Sequence, residues 1–285
     1  MTSVLQSLYH IGKLTDAIYR MTNEEDVEAF PQYDAQELTR LLCDELEEQM
    51  KGTSVEGTIA RLFEGELETY VSCTEVDYTT KKTEQFPDIT LDVFGCSSLE
   101  ASLRYYTRED LLVGQNQFWT EHFGPQNAKK GVRFLKFPPV MRFHLKRIRF
   151  DMERMDNVKV NDRFEFPETL DLEPFCQGAG TYILHTVIVH RGGLDSGHFY
   201  CFIRPTPGSQ WIRFDDHIVY STSTVAAIDE NFGGGGDERR GSAYILVYVK
   251  ESEAQDILYQ PDPKQVNPEL VERMQRDEEE NLKRL

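Results

Sequence analysis

The chain has 285 residues, 39% of them hydrophobic and 11% aromatic, which is enough apolar surface for one large core or two modest ones and too much for a disordered polymer. Its formal charge of −18 argues against a nucleic-acid partner and an anionic membrane surface, and favours basic surfaces or tails. Five cysteines, an odd number with no C-x-x-C pair, argue against both a disulfide framework and a zinc ribbon. There is no 18-residue apolar run and no basic-then-apolar leader, so the expected setting is cytosol or nucleus.

The first fifty residues read as helices. Val4, Leu5, Leu8 and Ile11 have helical spacing up to Gly12. A stronger stripe of Leu38, Leu41, Leu42, Leu46 and Met50 predicts a helix over Ala35–Met50, with Asp34 and Glu37 in a capping-box-like spacing at its start. From Gly57 the character changes. Strands are expected at Leu67–Val76 and Ile89–Phe94, then a helix followed by irregular polar chain over 95–131, then strands at 132–136 and 140–148. Phe164–Pro167 is read as the start of the C-terminal β region, which closes with Ala243–Val249, and the glycine run 233–236 as a flexible loop. Tyr182–His190 is apolar on both faces, the mark of a buried central strand. Asn267 and Pro268 predict the cap and first turn of a charged terminal helix.

The chemistry concentrates between 182 and 216. The link R-P-T-P-G-S-Q cannot be strand, so it forms a hairpin centred near Thr206–Gly208. Folding there sets His198, directly after Gly197, opposite residues 215 to 217. A histidine beside a carboxylate next to a glycine-rich loop is how a general base is oriented, and Asp215 and Asp216 are the carboxylates. The rival reading is a metal site drawing on His185, His190, His198 and His217. His185 and His190 are five apart, which on a regular strand puts them on opposite faces, and no metal or other cofactor is expected. No nucleophile accompanies the pair. Cys201 lies three residues past His198 and points away from it, Cys43 sits beside a helical apolar stripe, and Cys73, Cys96 and Cys176 have no activating neighbour in the sequence. Ser196 has no nucleophile-elbow context.

These residues resemble the motifs of the ubiquitin-specific proteases, thiol isopeptidases with a papain-like core. Tyr182-x-Leu184-x-Thr186-Val187-x-x-His190-x-Gly192, followed by Gly197-His198, is similar to the family's histidine box, with Phe199 in place of its usual Tyr and Thr186 in place of a small residue. Trp211-x-x-Phe214-Asp215-Asp216 resembles the acid segment, Gln32-x-Asp34-x-x-Glu37 the Q-x-D-x-x-E motif, and 134–147 a palm strand. Further phrases at 51–58, 75–78, 160–167 and 182–185 resemble a branch of the family that lacks the finger zinc.

The resemblance implies an α+β fold with a helical thumb over about 1–55 and antiparallel palm and fingers over about 56–251, followed by a linker and helix at 252–285. It implies His198 as base, Asp215 as its orienting acid, and Asp216 as a neighbour supporting the oxyanion or the fold. It implies ubiquitin and ubiquitinated proteins as partners, met through Gln32, Asp34, Glu37, Gly192 and Gly197. It also implies a gap. Met1–Gln6 matches only the end of the family's cysteine box, so the nucleophilic cysteine is expected two residues before Met1, and a second loss of thumb sequence is expected between Glu28 and Phe30. The chain as written is expected to be inactive, and its alternative role is that of a ubiquitin-binding pseudoenzyme or adaptor.

Overall fold

The computed structural model describes residues 35–194, 197–235 and 241–259, together with Glu272 and Arg276. The chain divides into two compact units, one of residues 35–258 and one joining 1–34 to 259–285. The helix expected over 4–11, Gln32, Asp34 and Ser196 lie outside the described residues. In the tail expected to be helical, Glu272 and Arg276 are helical, with Arg276 Nε donating to the Glu272 carbonyl at 3.4 Å.

Helix α1 spans Ala35–Met50, the bounds predicted by its apolar spacing. Its first turn is tied down at Asp88, which accepts from Gln36 Nε2 at 2.6 Å and from Arg40 Nε and Nη2 at 2.9 Å each. No residue of its stripe is fully buried within the 35–258 unit. A six-residue helix, α2 (Thr58–Phe63), follows and was not foreseen.

Strands β1 (Gly65–Cys73) and β2 (Thr79–Phe86) form a hairpin, then come β3 (Ile89–Asp92) and helix α3 (Leu99–Tyr106), capped by the Ser98 side chain. The region expected to be irregular holds three short strands, β4 (Asp110–Leu112), β5 (Phe118–Thr120) and β6 (Gly124–Gln126), before β7 (Ala128–Lys136). A four-stranded antiparallel sheet runs β2-β1-β7-β4. The sequence of β2, T-T-K-K-T-E-Q-F, has no apolar alternation, and only Phe86 is buried. It is a strand because its main chain pairs with β1 from Thr79 to Phe86, and its lysines and glutamate keep that exposed edge polar.

The larger sheet follows from β8 (Val140–Lys146) onward. After it come the hairpin β9 (Ile148–Asp151) and β10 (Asp156–Lys159), then β11 (Thr169–Asp171), β12 (Thr181–Gly192), β13 (Gly197–Ile203), β14 (Trp211–Asp215) and β15 (Ile218–Thr222). A short helix, α4 (Thr224–Ala227), precedes β16 (Ser242–Lys250), and α5 (Ala254–Ile257) follows it. The order is β15-β14-β13-β12-β16-β8-β3, with β11 also paired to β12, and all pairs are antiparallel except β3 with β8. The fold is therefore α+β, as expected. β12 is central, flanked by β13 and β16, which explains its apolar character on both faces. Leu91, Leu99, Leu103, Met141, Phe143, Leu145, Leu184, Val187 and Leu246 pack around it in one core at zero exposure. Among the described residues no helix is long and apolar enough to cross a membrane.

Three expectations need correction. The register of β12 on β16 shifts between Leu184 and Thr186, so the fully buried positions run Tyr182, Leu184, then Val187, Val189. The alternation resets at the shift, and His185 and His190 fall on one face rather than on opposite faces. Phe164–Pro167 makes no strand. Glu165 forms a single bridge to Ser98, donating to the Ser97 carbonyl and accepting from Leu99 N. The described start of the glycine run is packed, not loose. Gly233 and Gly234 have φ of 83° and 84°, Gly234 N donates to the Asn161 carbonyl at 2.6 Å, and a Cβ on Gly234 would lie 2.7 Å from the Arg163 Cβ. Positive φ and close backbone approach are the two uses glycine alone serves.

Arg147 is what these loops close around. It is 1% exposed and donates to four main-chain carbonyls: Ala243 (2.6 Å), Val160 (3.1 Å), Asp162 (3.1 Å) and Phe232 (3.3 Å). Burial pulls its guanidinium down to about 10, opposed by the nearby Asp162 charge, so it stays cationic at neutral pH. Arg147→Ala is expected to lower stability by roughly 3–5 kcal/mol, because it strands buried acceptors that water cannot reach. Arg147→Lys, with fewer donors, should recover only part of that. Urea unfolding of the three chains measures both; an alanine variant within about 1 kcal/mol of the parent contradicts this role.

Candidate active site

Two adjacent strands build the site. β13 and β14 pair from Cys201–Phe214 to Ile203–Ile212, a hairpin whose centre falls between Pro207 and Gly208, where the turn residues predict it. Period-two alternation then puts His198, Tyr200 and Phe202 on the same face as Trp211, Arg213 and Asp215. Continuing the register sets Asp215 opposite Tyr200, so His198 meets it diagonally. His198 Nε2 lies 2.6 Å from Asp215 Oδ1. The imidazole ring also lies nearly parallel to Tyr200, at 6.3 Å between centroids.

The two aspartates differ because the strand ends between them. Asp215 is the last residue of β14 and pairs with Ile218 of β15. Asp216 opens the two-residue turn and has φ of 51°, a left-handed conformation that Asp tolerates better than most residues. Its Oδ2 stands 4.0 Å from His198 Nε2, and its side chain is 73% exposed against 18% for Asp215. Burial disfavours the Asp215 charge, but hydrogen bonds from His198 and Arg213 outweigh it and hold the carboxyl below its ordinary range. An ionised carboxylate only accepts, so Nε2 carries the hydrogen and Nδ1 is the basic nitrogen. No described residue bonds Nδ1.

Gly192 and Gly197 close the preceding hairpin, β12–β13, paired with each other at the ends of its two strands. Gly192, at φ 98°, offers its carbonyl to Lys159 Nζ from the end of β10. A Cβ on Gly197 would collide with the His190 imidazole, which packs against Phe199 and Tyr244 at 4.7 and 6.0 Å. The structure thus brings His198, Asp215, Asp216, Gly192 and Gly197 together. It does not bring Glu37 to them: Glu37 lies exposed on α1, whose anchor at Asp88 adjoins β3, the opposite edge strand of the sheet. Lys159 and Arg213 were missed by sequence reading, although alternation along W-I-R-F-D already puts Arg213 on the face of Asp215.

All five cysteines are among the described residues, and none forms a hydrogen bond with His198. Cys201 is on the far face of β13, and burial pushes its thiol up to about 11. Cys96 is in the core. Cys43 Sγ accepts from the buried Arg142 Nη1 at 3.5 Å. Cys73 ends β1, opposite Ala128, and burial and the charge of Glu173 raise the Cys176 thiol. Of the four histidines weighed for a metal, only His198 joins a possible ligand group among the described residues, with Asp215 and Asp216, their ligand atoms within 4.8 Å of one another. Arg213 Nη2, 2.6 Å from Asp215 Oδ2, opposes a cation there.

A histidine–carboxylate pair across two antiparallel strands of an α+β fold is the arrangement of a hydrolase family, and the family is shown by comparison. The chain belongs to the ubiquitin carboxyl-terminal hydrolase family, whose profile matches residues 21–248. It is similar to ubiquitin C-terminal hydrolase 13 of Arabidopsis thaliana, 37% identical over 343 residues, covering 98% of this chain and 31% of that protein. It is also similar to ubiquitin carboxyl-terminal hydrolase 7 of Drosophila melanogaster (34%; 96% of this chain, 28% of that protein) and to ubiquitin carboxyl-terminal hydrolase 15 of Saccharomyces cerevisiae (38%; 82% and 22%). The chain spans less than a third of the length of these relatives. The Arabidopsis match, at 343 positions, is longer than the 285 residues of this chain, so that relative carries inserted residues within the matched region.

Gly197→Ala is expected to destabilise the protein by about 1–3 kcal/mol through overpacking against His190, and to displace His198 from Asp215. Thermal unfolding and the His198 imidazole NMR signals measure the two effects; a parent-like melting temperature with parent-like signals contradicts the close packing.

Proposed function

We propose that the 35–258 unit carries the base and acid of a thiol-dependent deubiquitinase, acting on the bond after the C-terminal glycine of ubiquitin, and that the thiol lies outside these 285 residues. The observation that carries the reading is the 2.6 Å contact of His198 Nε2 with Asp215 Oδ1, with no described residue bonded to Nδ1. In this reading Nδ1 takes the proton of a thiol placed beside it, and the thiolate attacks the scissile carbonyl to form a C–S bond. The same imidazolium then protonates the leaving amine as the C–N bond breaks, and water hydrolyses the thioester. Asp215 holds the ring and offsets its positive charge. Asp216, beside the pair and open to solvent, supports the oxyanion or the turn. Ubiquitin and ubiquitinated proteins are the partners, met through Gln32, Asp34, Glu37, Gly192 and Gly197. Residues 1–251 make up the catalytic domain in this reading and 252–285 a linker and helix, working in the cytoplasm or nucleus.

A second reading is a ubiquitin-binding pseudoenzyme or adaptor. It is favoured by one observation: none of the five cysteines bonds His198.

The 285-residue chain is expected to show no thiol-dependent release from ubiquitin carrying a C-terminal fluorogenic amide. An N-terminally extended form bearing the cysteine-box residues should show release, and His198→Ala in that form should remove it by about 10³-fold or more. Release by the unextended chain, or release in the extended form that is indifferent to His198, defeats the proposal. Both forms should retain ubiquitin on a column, with Asp34→Ala or Glu37→Ala weakening retention by about tenfold each through a lost charge-assisted pair. A chain that retains no ubiquitin excludes the pseudoenzyme.

A further inference from the structure

We infer that Arg213 is a positioning residue, which selects Asp215 over Asp216 as the partner of His198. The inference rests on reading His198 and Asp215 as the working pair. Two neighbouring carboxylates approach the same imidazole nitrogen, Asp215 Oδ1 at 2.6 Å and Asp216 Oδ2 at 4.0 Å. Arg213 removes the ambiguity. Its Nη2 donates to Asp215 Oδ2 at 2.6 Å, so the two Asp215 oxygens are divided, one to the imidazole and one to the guanidinium. Among the described residues Asp216 has no basic partner apart from its 4.0 Å approach to His198.

The guanidinium is itself held in place. Its Cζ lies 4.1 Å from the centroid of the Tyr200 ring, 5.6 Å from Phe202 and 5.9 Å from Tyr220, so strands on both sides of β14 supply aromatic faces to a cation. Its Nε is shut off from solvent with no acceptor among the described residues, an unfavourable arrangement for an N–H, as expected where the Nη2 contact dictates the pose. The groups facing Asp215 are His198 and Tyr200 from β13, Arg213 on its own strand, Asp216 in the turn, and Ile218 and Tyr220 from β15. Arg191 of β12 stands opposite His198, and among the described residues Arg213 is the arginine that bonds Asp215. By holding Oδ2 it fixes the ionised carboxylate with Oδ1 on Nε2, and an acceptor at Nε2 leaves Nδ1 as the basic nitrogen. Without that hold the carboxylate can rotate off Nε2, and the neutral imidazole loses the acceptor that keeps its hydrogen there.

The test is NMR on the 285-residue chain carrying labelled histidine and aspartate. Arg213→Ala and Arg213→Gln are expected to move the Asp215 carboxyl titration upward, towards the ordinary carboxylate value, and to convert the single Nε2–H form of His198 into a mixture of tautomers. Arg213→Lys should restore most of the Nε2–H form, whereas Asp216→Asn should leave it unchanged. The inference is overturned if a folded Arg213→Ala or Arg213→Gln chain keeps both signals as in the parent, or if Asp216→Asn disturbs the tautomer as much as they do. These signals need neither substrate nor thiol. An N-terminally extended form that releases nothing from ubiquitin therefore refutes the proposed function while leaving this result readable.

Discussion

Arg147, the more deeply buried of two buried arginines among the described residues, holds together the segments that bracket the site. It leaves the end of β8 and satisfies carbonyls at Val160, Asp162, Phe232 and Ala243. Each of those acceptors belongs to a segment without a full ladder of its own at that point: the exit from β10, the turn before the glycine run, the start of β16. Val160 directly follows Lys159, whose ammonium holds the Gly192 carbonyl. Ala243 pairs with Val189 in β12, one residue before His190. The guanidinium thereby ties, through main chain, the exit of β10 and the start of β16, the two segments that meet β12 near Gly192 and His190. A guanidinium suits the place because its fan of donors matches several carbonyls at once, and because it remains charged despite burial.

The site uses a second guanidinium differently. Arg147 binds neutral carbonyls and organises backbone; Arg213 binds one carboxylate and holds a side chain. The difference follows from position. Arg147 is inside the core, where an unpaired carboxylate would be costly to bury, so carbonyl dipoles offset its charge. Arg213 is on a half-exposed face near the sheet edge, where a carboxylate and three aromatic rings can all reach it. Two donors converge on Asp215 and outweigh the burial that opposes its charge close to Trp211 and Phe202.

Much of the fold was legible because side chains reported it. The Ala35–Met50 helix shows its stripe, β12 its unbroken apolar run, and the R-P-T-P-G-S-Q link its inability to extend a strand. β2 was not legible, since its side chains are polar and exposed and only main-chain pairing with β1 makes it a strand. The strands at 110–126 are three residues each, too short for any periodicity to register. The shift at His185 was invisible because a bulge belongs to the pairing of two strands rather than to either sequence. Gly233 and Gly234 resembled a flexible linker and are in fact a close approach to 161–163, which one-dimensional composition cannot distinguish.

The sequence by itself brought His198 to a pair of aspartates. Strand alternation and a hairpin centre suffice to set His198 near Asp215 and Asp216, because both follow from local chemistry: proline and glycine at the turn, a period of two on either side. Alternation also turns Cys201 away from them, whereas the places of the other four cysteines came from the structure. Only the tertiary structure decided between Asp215 and Asp216, because that choice depends on where β14 ends and on a guanidinium held by rings from three strands. Only it separated Glu37, near β3, from the hairpin across the sheet, and revealed Lys159 and Arg147 as supports. These are contacts between residues distant in the chain. Their energies depend on burial and approach distance, and neither quantity exists until the sheets are assembled.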